Sequence, residues 1–525
     1  MNNNKRNLVN FFPCLIYSIV CGVVSGAVIF FFKFLASRAE KLSRQIYGAA
    51  KGSVLLVGAV FLSLIALAII MICIQKRIPE SKGGGIPRSE GVLRGLLSFK
   101  WLRTFIGTVS GSMISFFSGL PLGCEGPAVL IGTSIGGMCV SKSKNRSAWR
   151  RYIMTGGAGA GFSVATGAPL SGVLFALEEI HKRFTPMLIM IVSICVVSAT
   201  SVNRVLCSIF DISHSMFHVE PLKSFSLNNI PALILFGFCI ALAVAMYDGS
   251  IALLTNFTSK YKSRLTSKAK IIAVFVLTGI LGFLFADSIY NGHHVIDELL
   301  EGHLSLWLVV AILAVRFIMM LLCTDSGVTG GTFIPTLAIG ALFAALISRL
   351  IIAVGISEDL LPTLILLGMC AFIGGTLRAP LTACVLFVEL TGQITDIFFI
   401  VLVIFTVNTF TEIIHLTPFY DTALENMVEA QNEGKTYQMA HFSAHIAPDA
   451  FVIGKTVRDV MWPTSTVVLS IKRADEDKDD MENSGEKRIA IGDTLVLRSL
   501  YFNEEEILAE LHDLFGKDAD IHKMA

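Results

Sequence analysis

Residues Gly123-Cys-Glu-Gly-Pro-Ala-Val-Leu-Ile-Gly132, GCEGPAVLIG, have a counterpart 208 residues later in GTFIPTLAIG (331–340). Gly123, Pro127, Ile131 and Gly132 match Gly331, Pro335, Ile339 and Gly340. Further on, APLSGVLFALE (168–178) aligns with APLTACVLFVE (379–389), now displaced by 211 residues. Two matches in the same order and at nearly equal spacing mark a duplicated unit of roughly 200 residues.

Each half also holds an apolar piece too short to span a bilayer and broken or introduced by Gly and Pro: Val129–Val140 and Leu381–Val388. Such paired segments in corresponding positions point to a transport site. A helix that begins inside the membrane leaves its first N–H groups without intrahelical acceptors. Those donors, with the positive end of the helix dipole, form an anion site without a full positive charge. Pro suits the first helical turn, and Gly lets an ion approach the backbone. The scaffold is symmetric but its chemistry is not, because the acid Glu125 aligns with Phe333. Glycines that served packing alone would not require that asymmetry.

The rest of the composition agrees. The chain has 525 residues, 54% of them hydrophobic and only 16% charged, with a mean hydropathy of +0.69. A soluble protein carries about 25% charged residues. Apolar runs such as Val54–Ile74, Met187–Thr200 and Phe398–Val407 recur from residue 9 to residue 416. At roughly 20 residues per span, they describe an all-α polytopic membrane protein. The first run, Phe11–Phe32, has no convincing cleavage pattern and reads as a retained helix. Basic clusters at Asn3–Arg6, Lys142–Arg151 and Lys260–Lys270 favour the cytoplasmic side and put both termini there. The eleven cysteines lie almost all in apolar segments with no CxxC. They read as small buried hydrophobes rather than disulfides or metal ligands. With no HExxH and no clustered nucleophile and base, neither an enzyme nor a cofactor is expected, and nothing suggests a nucleic-acid partner.

KGGGIPRSEG (82–91), GCEGP (123–127) and GGTFIP (330–335) together resemble the three signature loops of the CLC chloride channel and transporter family. The segment APLSGVLFALEE (168–179) and the tyrosine of TPFY, Tyr420, fall in matching order. The resemblance implies an inverted repeat of broken, tilted helices over residues 1–432, with halves of about 1–225 and 226–432, assembled as a homodimer with one pore per subunit. It implies that Glu125 is the gating carboxylate and Glu179 the inner proton-transfer glutamate. It also implies that Gly84, Thr332, Phe333 and Tyr420 surround chloride, with Thr332 and Phe333 offering amides and Tyr420 its phenol. Gly83, Gly85, Pro87, Gly123, Gly126, Pro127, Gly331 and Pro335 support these loops.

The repeat separates the two adjacent acids. Glu178 aligns with Glu389, which favours a shared structural role, whereas Glu179 aligns with Leu390 and has no symmetry partner. An intramembrane acid is a proton-path candidate. With both Glu125 and Glu179 present, the expected activity is secondary chloride/proton antiport. The alternatives are a passive voltage- or proton-gated chloride channel and, against the presence of Glu179, a fluoride/proton antiporter. Two positions depart from the family. Cys124 stands where many members carry Arg or Lys, which removes Coulombic support for the ionised neighbour. Gly84 stands where many carry Ser, so one hydroxyl donor to the central anion is missing and selectivity for chloride over nitrate or bromide is expected to weaken.

Beyond residue 432 the chain turns polar. A linker and first strand over 433–445 precede a small α+β cytoplasmic domain over 446–525. Short β-like runs at Thr466–Ile471 and Thr494–Leu497 come before a helical pattern at Asn503–Phe515. Their spacing resembles the TrkA-C (RCK-C) regulatory domain, with Gly454, Lys455, Gly492 and Asp493 at the recurring turns. That resemblance implies dimerisation and a nucleotide such as cyclic di-AMP as a ligand, and it points to the cell (inner) membrane of a prokaryote, with lipid around the helices. The acidic run Asp475–Glu486 reads as a solvated excursion between strands.

Overall fold

The computed structural model describes residues 3–98, 100–141, 147–213, 216–217, 222–260, 267–415, 417–432, 438–463, 465–473, 485–516 and 518–524. The basic positions 142–146 and 261–266, and most of the acidic run 475–486, lie outside the described residues.

The repeat is visible as paired helices. Trp101–Ser118, Glu125–Ser141, Arg150–Thr166, Pro169–Phe175 and Pro186–Phe210 correspond in order to Leu306–Ser326, Phe333–Ala353, Leu361–Leu377, Pro380–Thr391 and Ile397–Ile413. The correspondence runs upstream as well, from Val54–Arg77 and Ile86–Leu93 to Ser267–Leu284 and His293–Leu300. Even the helix ends agree: Gly119 (φ 80°) and Gly327 (φ 69°) hold left-handed C-terminal positions in the two halves. Glycine adopts that conformation without a Cβ clash.

Among the described residues, eight helices are long and apolar enough to cross a membrane. The chain is a multi-pass membrane protein. The first helix, Asn3–Ala50, has 48 residues and at 1.5 Å per residue reaches roughly 70 Å, well past a bilayer's apolar core. By contrast, the helix at Glu125 has only 17 residues and Pro380–Thr391 only 12. The Glu125 helix begins inside the molecule, with every residue from Glu125 to Gly137 buried.

Small residues let the backbones of the broken helices meet. A Cβ on Gly132 would collide with the Gly157 carbonyl, and one on Gly161 with the Ala128 carbonyl. Helices Glu125–Ser141 and Arg150–Thr166 therefore touch along their backbones, the close approach that small residues permit in membranes. The helix Leu361–Leu377 is buried along almost its whole length and forms the centre of the second half.

After the helix Phe419–Gln431, the tail folds as a four-stranded antiparallel sheet. Its strands β1 (Gln438–His445), β2 (Thr466–Lys472), β3 (Thr494–Tyr501) and β4 (Ile521–Met524) lie in the order β2-β3-β1-β4. Strands β2 and β3 extend slightly beyond the runs legible in the sequence. The helix Glu504–Phe515 starts at Asn503, whose side chain accepts from the Glu505 amide, and packs Leu511 and Phe515 onto Phe442, Leu495 and Leu497.

The tail rests on the membrane domain through a small, dense contact. Arg151 makes a bidentate pair with Glu510 at 2.7 Å, and the Tyr152 hydroxyl donates to the Asp459 carbonyl at 3.0 Å. Lys455 lies with its ammonium 3.2 Å from the centre of the Phe451 ring and 5.4 Å from that of Trp149. Burial there pulls the Lys455 amine down to about 7. Arg151 and Tyr152 open the helix that lies on the Glu125 helix, so the tail's grip falls on a direct neighbour of the helix that carries the candidate site.

Candidate functional site

The two sequence copies meet each other. Gly123 and Gly331 form an isolated antiparallel bridge, each N–H donating to the other's carbonyl at 2.7 Å. The third loop joins them: the Gly83 amide donates to the Gly327 carbonyl, and the Gly330 amide to the Gly83 carbonyl, both at 3.3 Å. Gly126 lies where the loops close, since a Cβ there would strike the Gly84 carbonyl and come 3.0 Å from the Gly331 Cα. Gly85, at φ 87°, has the Gly126 carbonyl against its own Cβ position. These positions need glycine for space as well as for conformation.

The loops deliver helix starts to a common centre. Pro87 sits in the first turn of Ile86–Leu93, Pro127 in that of Glu125–Ser141, and Pro335 in that of Phe333–Ala353, with Thr332 at its N-cap. The first amides of each helix have no acceptor one turn earlier. The Thr332 hydroxyl lies 3.3 Å from the Tyr420 hydroxyl, and both residues are buried. Gly84 stands beside them: a Cβ added there would lie 3.6 Å from the Thr332 Oγ1, ordinary contact at an unstrained φ. A cavity of about 640 Å³, lined by Lys82, Gly83, Gly84, Arg88, Thr332 and Tyr420 among others, opens onto this point.

Glu125 is 1% exposed at the first position of its helix. Its carboxylate faces the backbone N–H of Ile334, in the first turn of the symmetry-related helix, as well as its own N–H. The Cys124 thiol donates to its Oε1 at 3.3 Å. Its Oε2 lies over the Cα of Gly123 and closes no hydrogen bond among the described residues. An acid from one half thus rests on the amides that open a helix of the other half. Lys33 of the first helix lies within Coulombic reach of both Cys124 and Glu125.

Phe333 takes the symmetric position but its ring turns away, packing edge-on against Phe162 at 5.0 Å between centroids. Only its backbone is left to face the site. Glu179 occupies a one-turn π-helical segment, Ala176–Ile180. It is 2% exposed and its Oε1 lacks a partner among the described residues. It sits apart from the glycine junction, with Tyr420 within Coulombic reach of both Glu179 and Glu125.

The neighbouring Glu178 has a different task. It accepts from the Leu381 amide at 3.0 Å and from the Thr382 amide and hydroxyl at 2.7 Å. Glu389 returns the arrangement, accepting from the Leu170 amide at 2.7 Å, the Ser171 amide at 2.8 Å and the Ser171 hydroxyl at 2.6 Å. Each half caps the other's short helix, a charge-assisted bond at a positive helix end.

Sequence reading missed the groups that reach this site from distant segments. Glu90, Lys182 and Asp421 form an ion cluster near Glu179. Glu40 of the first helix lies within Coulombic reach of Glu125. Of these, only Glu90 stood inside a recognised motif; nothing in local spacing marks the others.

The chain is similar to known proteins in sequence and in fold. A family model described as voltage gated chloride channel matches residues 66–412. The H(+)/Cl(-) exchange transporter ClcA of Salmonella paratyphi C is 28% identical over 382 residues, covering 71% of this chain and 79% of that protein. Its namesake in Citrobacter koseri is 29% identical over 363 residues, covering 68% and 76%. Among solved structures, a slow cyanobacterial Cl-/H+ antiporter superposes with a TM-score of 0.73 at 25% identity, over 80% of this chain and 99% of its own. A CLC-type fluoride/proton antiporter, with a TM-score of 0.65 at 16% identity over 77% and 96%, shares the fold.

Proposed function

The chain belongs to the voltage gated chloride channel family, and from that membership we propose that it is a secondary active antiporter exchanging chloride for protons. Relatives and a structural neighbour named as H+/Cl- exchangers support the reading. The observation that carries it is the buried Glu125 carboxylate facing the Ile334 amide at the start of the opposite half's helix.

Ionised, Glu125 is itself an anion and occupies a place built for one. Protonation removes the charge and with it the advantage over chloride, so the side chain leaves and chloride enters. One residue makes anion and proton occupancy exclude each other. In this reading the amides of Thr332 and Phe333 and the Tyr420 phenol hold the central anion, and Gly84 contributes only backbone. Glu179, buried and on the other side of Tyr420, passes protons between the inner solution and Glu125.

The protein works as a homodimer in a prokaryotic cell membrane, with both termini in the cytoplasm. The tail serves as a TrkA-C-like regulatory domain with a nucleotide as its ligand. The test is proton movement in liposomes: an outward chloride gradient should drive protons uphill into the vesicle. Chloride efflux with no proton movement would make the protein a passive channel instead.

A further inference from the structure

Lys182 sits just beyond the π-helical segment that carries Glu179, at φ 53°. That left-handed conformation is unfavourable for a long side chain and persists only where surrounding contacts hold it. The backbone contact is the Arg183 amide, which donates to the Leu177 carbonyl at 3.0 Å; the side-chain contacts are ionic. The Lys182 ammonium lies 2.6 Å from an oxygen of Asp421 and 3.2 Å from one of Glu90. Asp421 follows Tyr420 in the helix Phe419–Gln431. Glu90, whose side chain is fully buried, is held also by Arg94 at 2.8 Å. The Glu90 Oε2 has no partner among the described residues. Glu179 faces Glu90, Lys182, Asp421 and Glu178, and Lys182 faces Glu179, Glu90 and Asp421. On the same turn, His181 bonds Thr155 at 3.3 Å, and the charges of Arg151, Arg183 and Arg94 reach it.

Around Glu179 this leaves three further carboxylates with one lysine among them. Glu178 is committed to the Pro380–Thr391 helix end, so Lys182 alone bridges two of the remaining acids. The Lys182 side chain is also partly open to solvent, 37% exposed, whereas Glu179 is enclosed.

We propose that Lys182 is the positioning residue of the inner proton step: by bridging Glu90 and Asp421 it sets when Glu179 loads a proton from the inner solution. The inference rests on the antiport reading above. Without the cation, the acids around Glu179 repel one another, and like charge favours the protonated state of the cluster. With the cation, that repulsion is offset, and Asp421 is fixed so that the adjacent Tyr420 keeps its place beside Thr332.

The experiment measures proton-coupled exchange in liposomes as the pH on the tail side is varied, with the other side held constant. In Lys182→Gln the profile should move toward higher pH by roughly one unit, while dependence on the opposite side's pH stays as in the parent. Lys182→Arg should restore the parent profile. Asp421→Asn, which removes an acid from the same cluster, should move the profile the other way and carries the test if Lys182→Gln does not fold. Unchanged tail-side profiles in Lys182→Gln and Asp421→Asn, in a parent that does couple protons, would overturn the proposal. A parent that moves no protons would instead overturn the antiport reading.

Discussion

At Gly84 the structure leaves room that the chain does not use. Gly85 and Gly126 are held to glycine by backbone carbonyls, but a Cβ at 84 meets only the Gly330 carbonyl and the Thr332 side chain at 3.6 Å. Gly84→Ser should therefore fold normally and add a hydroxyl beside the Thr332–Tyr420 pair. A hydrogen bond to a charged partner is worth about 1.5–3 kcal/mol. The variant should prefer chloride over nitrate at least tenfold more than the parent, as read from anion competition for flux. An unchanged preference would mean that residue 84 does not face the anion. Glu125, Phe333, Gly123 and Gly331 were legible because the duplication displayed their loop twice, with and without the acid. Lys33, Lys182 and Asp421 were not, because what they contact lies far away in sequence and no local pattern encodes an ion pair across a fold.

Among the elements, the exchanged caps of Pro169–Phe175 and Pro380–Thr391 explain how helices of 7 and 12 residues hold their position. Helices this short are marginal alone, and each depends on a carboxylate from the opposite half. Alignment of Glu178 with Glu389 suggested a shared structural role; that the two roles are reciprocal required the fold. Glu389→Gln keeps the shape but loses the charge and a full acceptor set, and should cost about 2 kcal/mol. The measurement is thermal unfolding in detergent, where Glu389→Gln should melt several degrees below the parent. A melting point equal to the parent's would show that the caps are not needed. Helix existence was readable from hydropathy throughout, whereas the breaks depended on Gly and Pro, whose meaning became clear only in the paired copies.

For the molecule as a whole, the tail's grip on the helix Arg150–Thr166 gives the site a connection to the solution that bathes the tail. Lys455 loses its proton at about 7 when docked, whereas a free lysine keeps it to about 10.4. The docked state therefore binds fewer protons between those values, and docking tightens as pH rises through that window, with no dependence below it. Förster transfer between dyes on the tail and the membrane domain, followed from pH 6 to 9 in mild urea, should show docking increase. Lys455→Met should dock more tightly and without that slope; an equal slope in the variant would assign the effect to another group. Strands β2 and β3 were visible as short runs and β1 was expected within 433–445, but β4 and the tail's seat were not, since Trp149, Phe451 and Lys455 come together only in the folded chain.

The whole account turns on two buried acids with separate tasks, Glu125 on the helix-start amides and Glu179 in the π-helical segment Ala176–Ile180. Paired chloride and proton fluxes in liposomes for the parent, Glu125→Gln and Glu179→Gln test that division most directly. The account predicts uphill proton movement in the parent, and in both variants chloride flux that no longer moves protons. Proton pumping that survives in Glu179→Gln at the parent's proton-to-chloride ratio would contradict it.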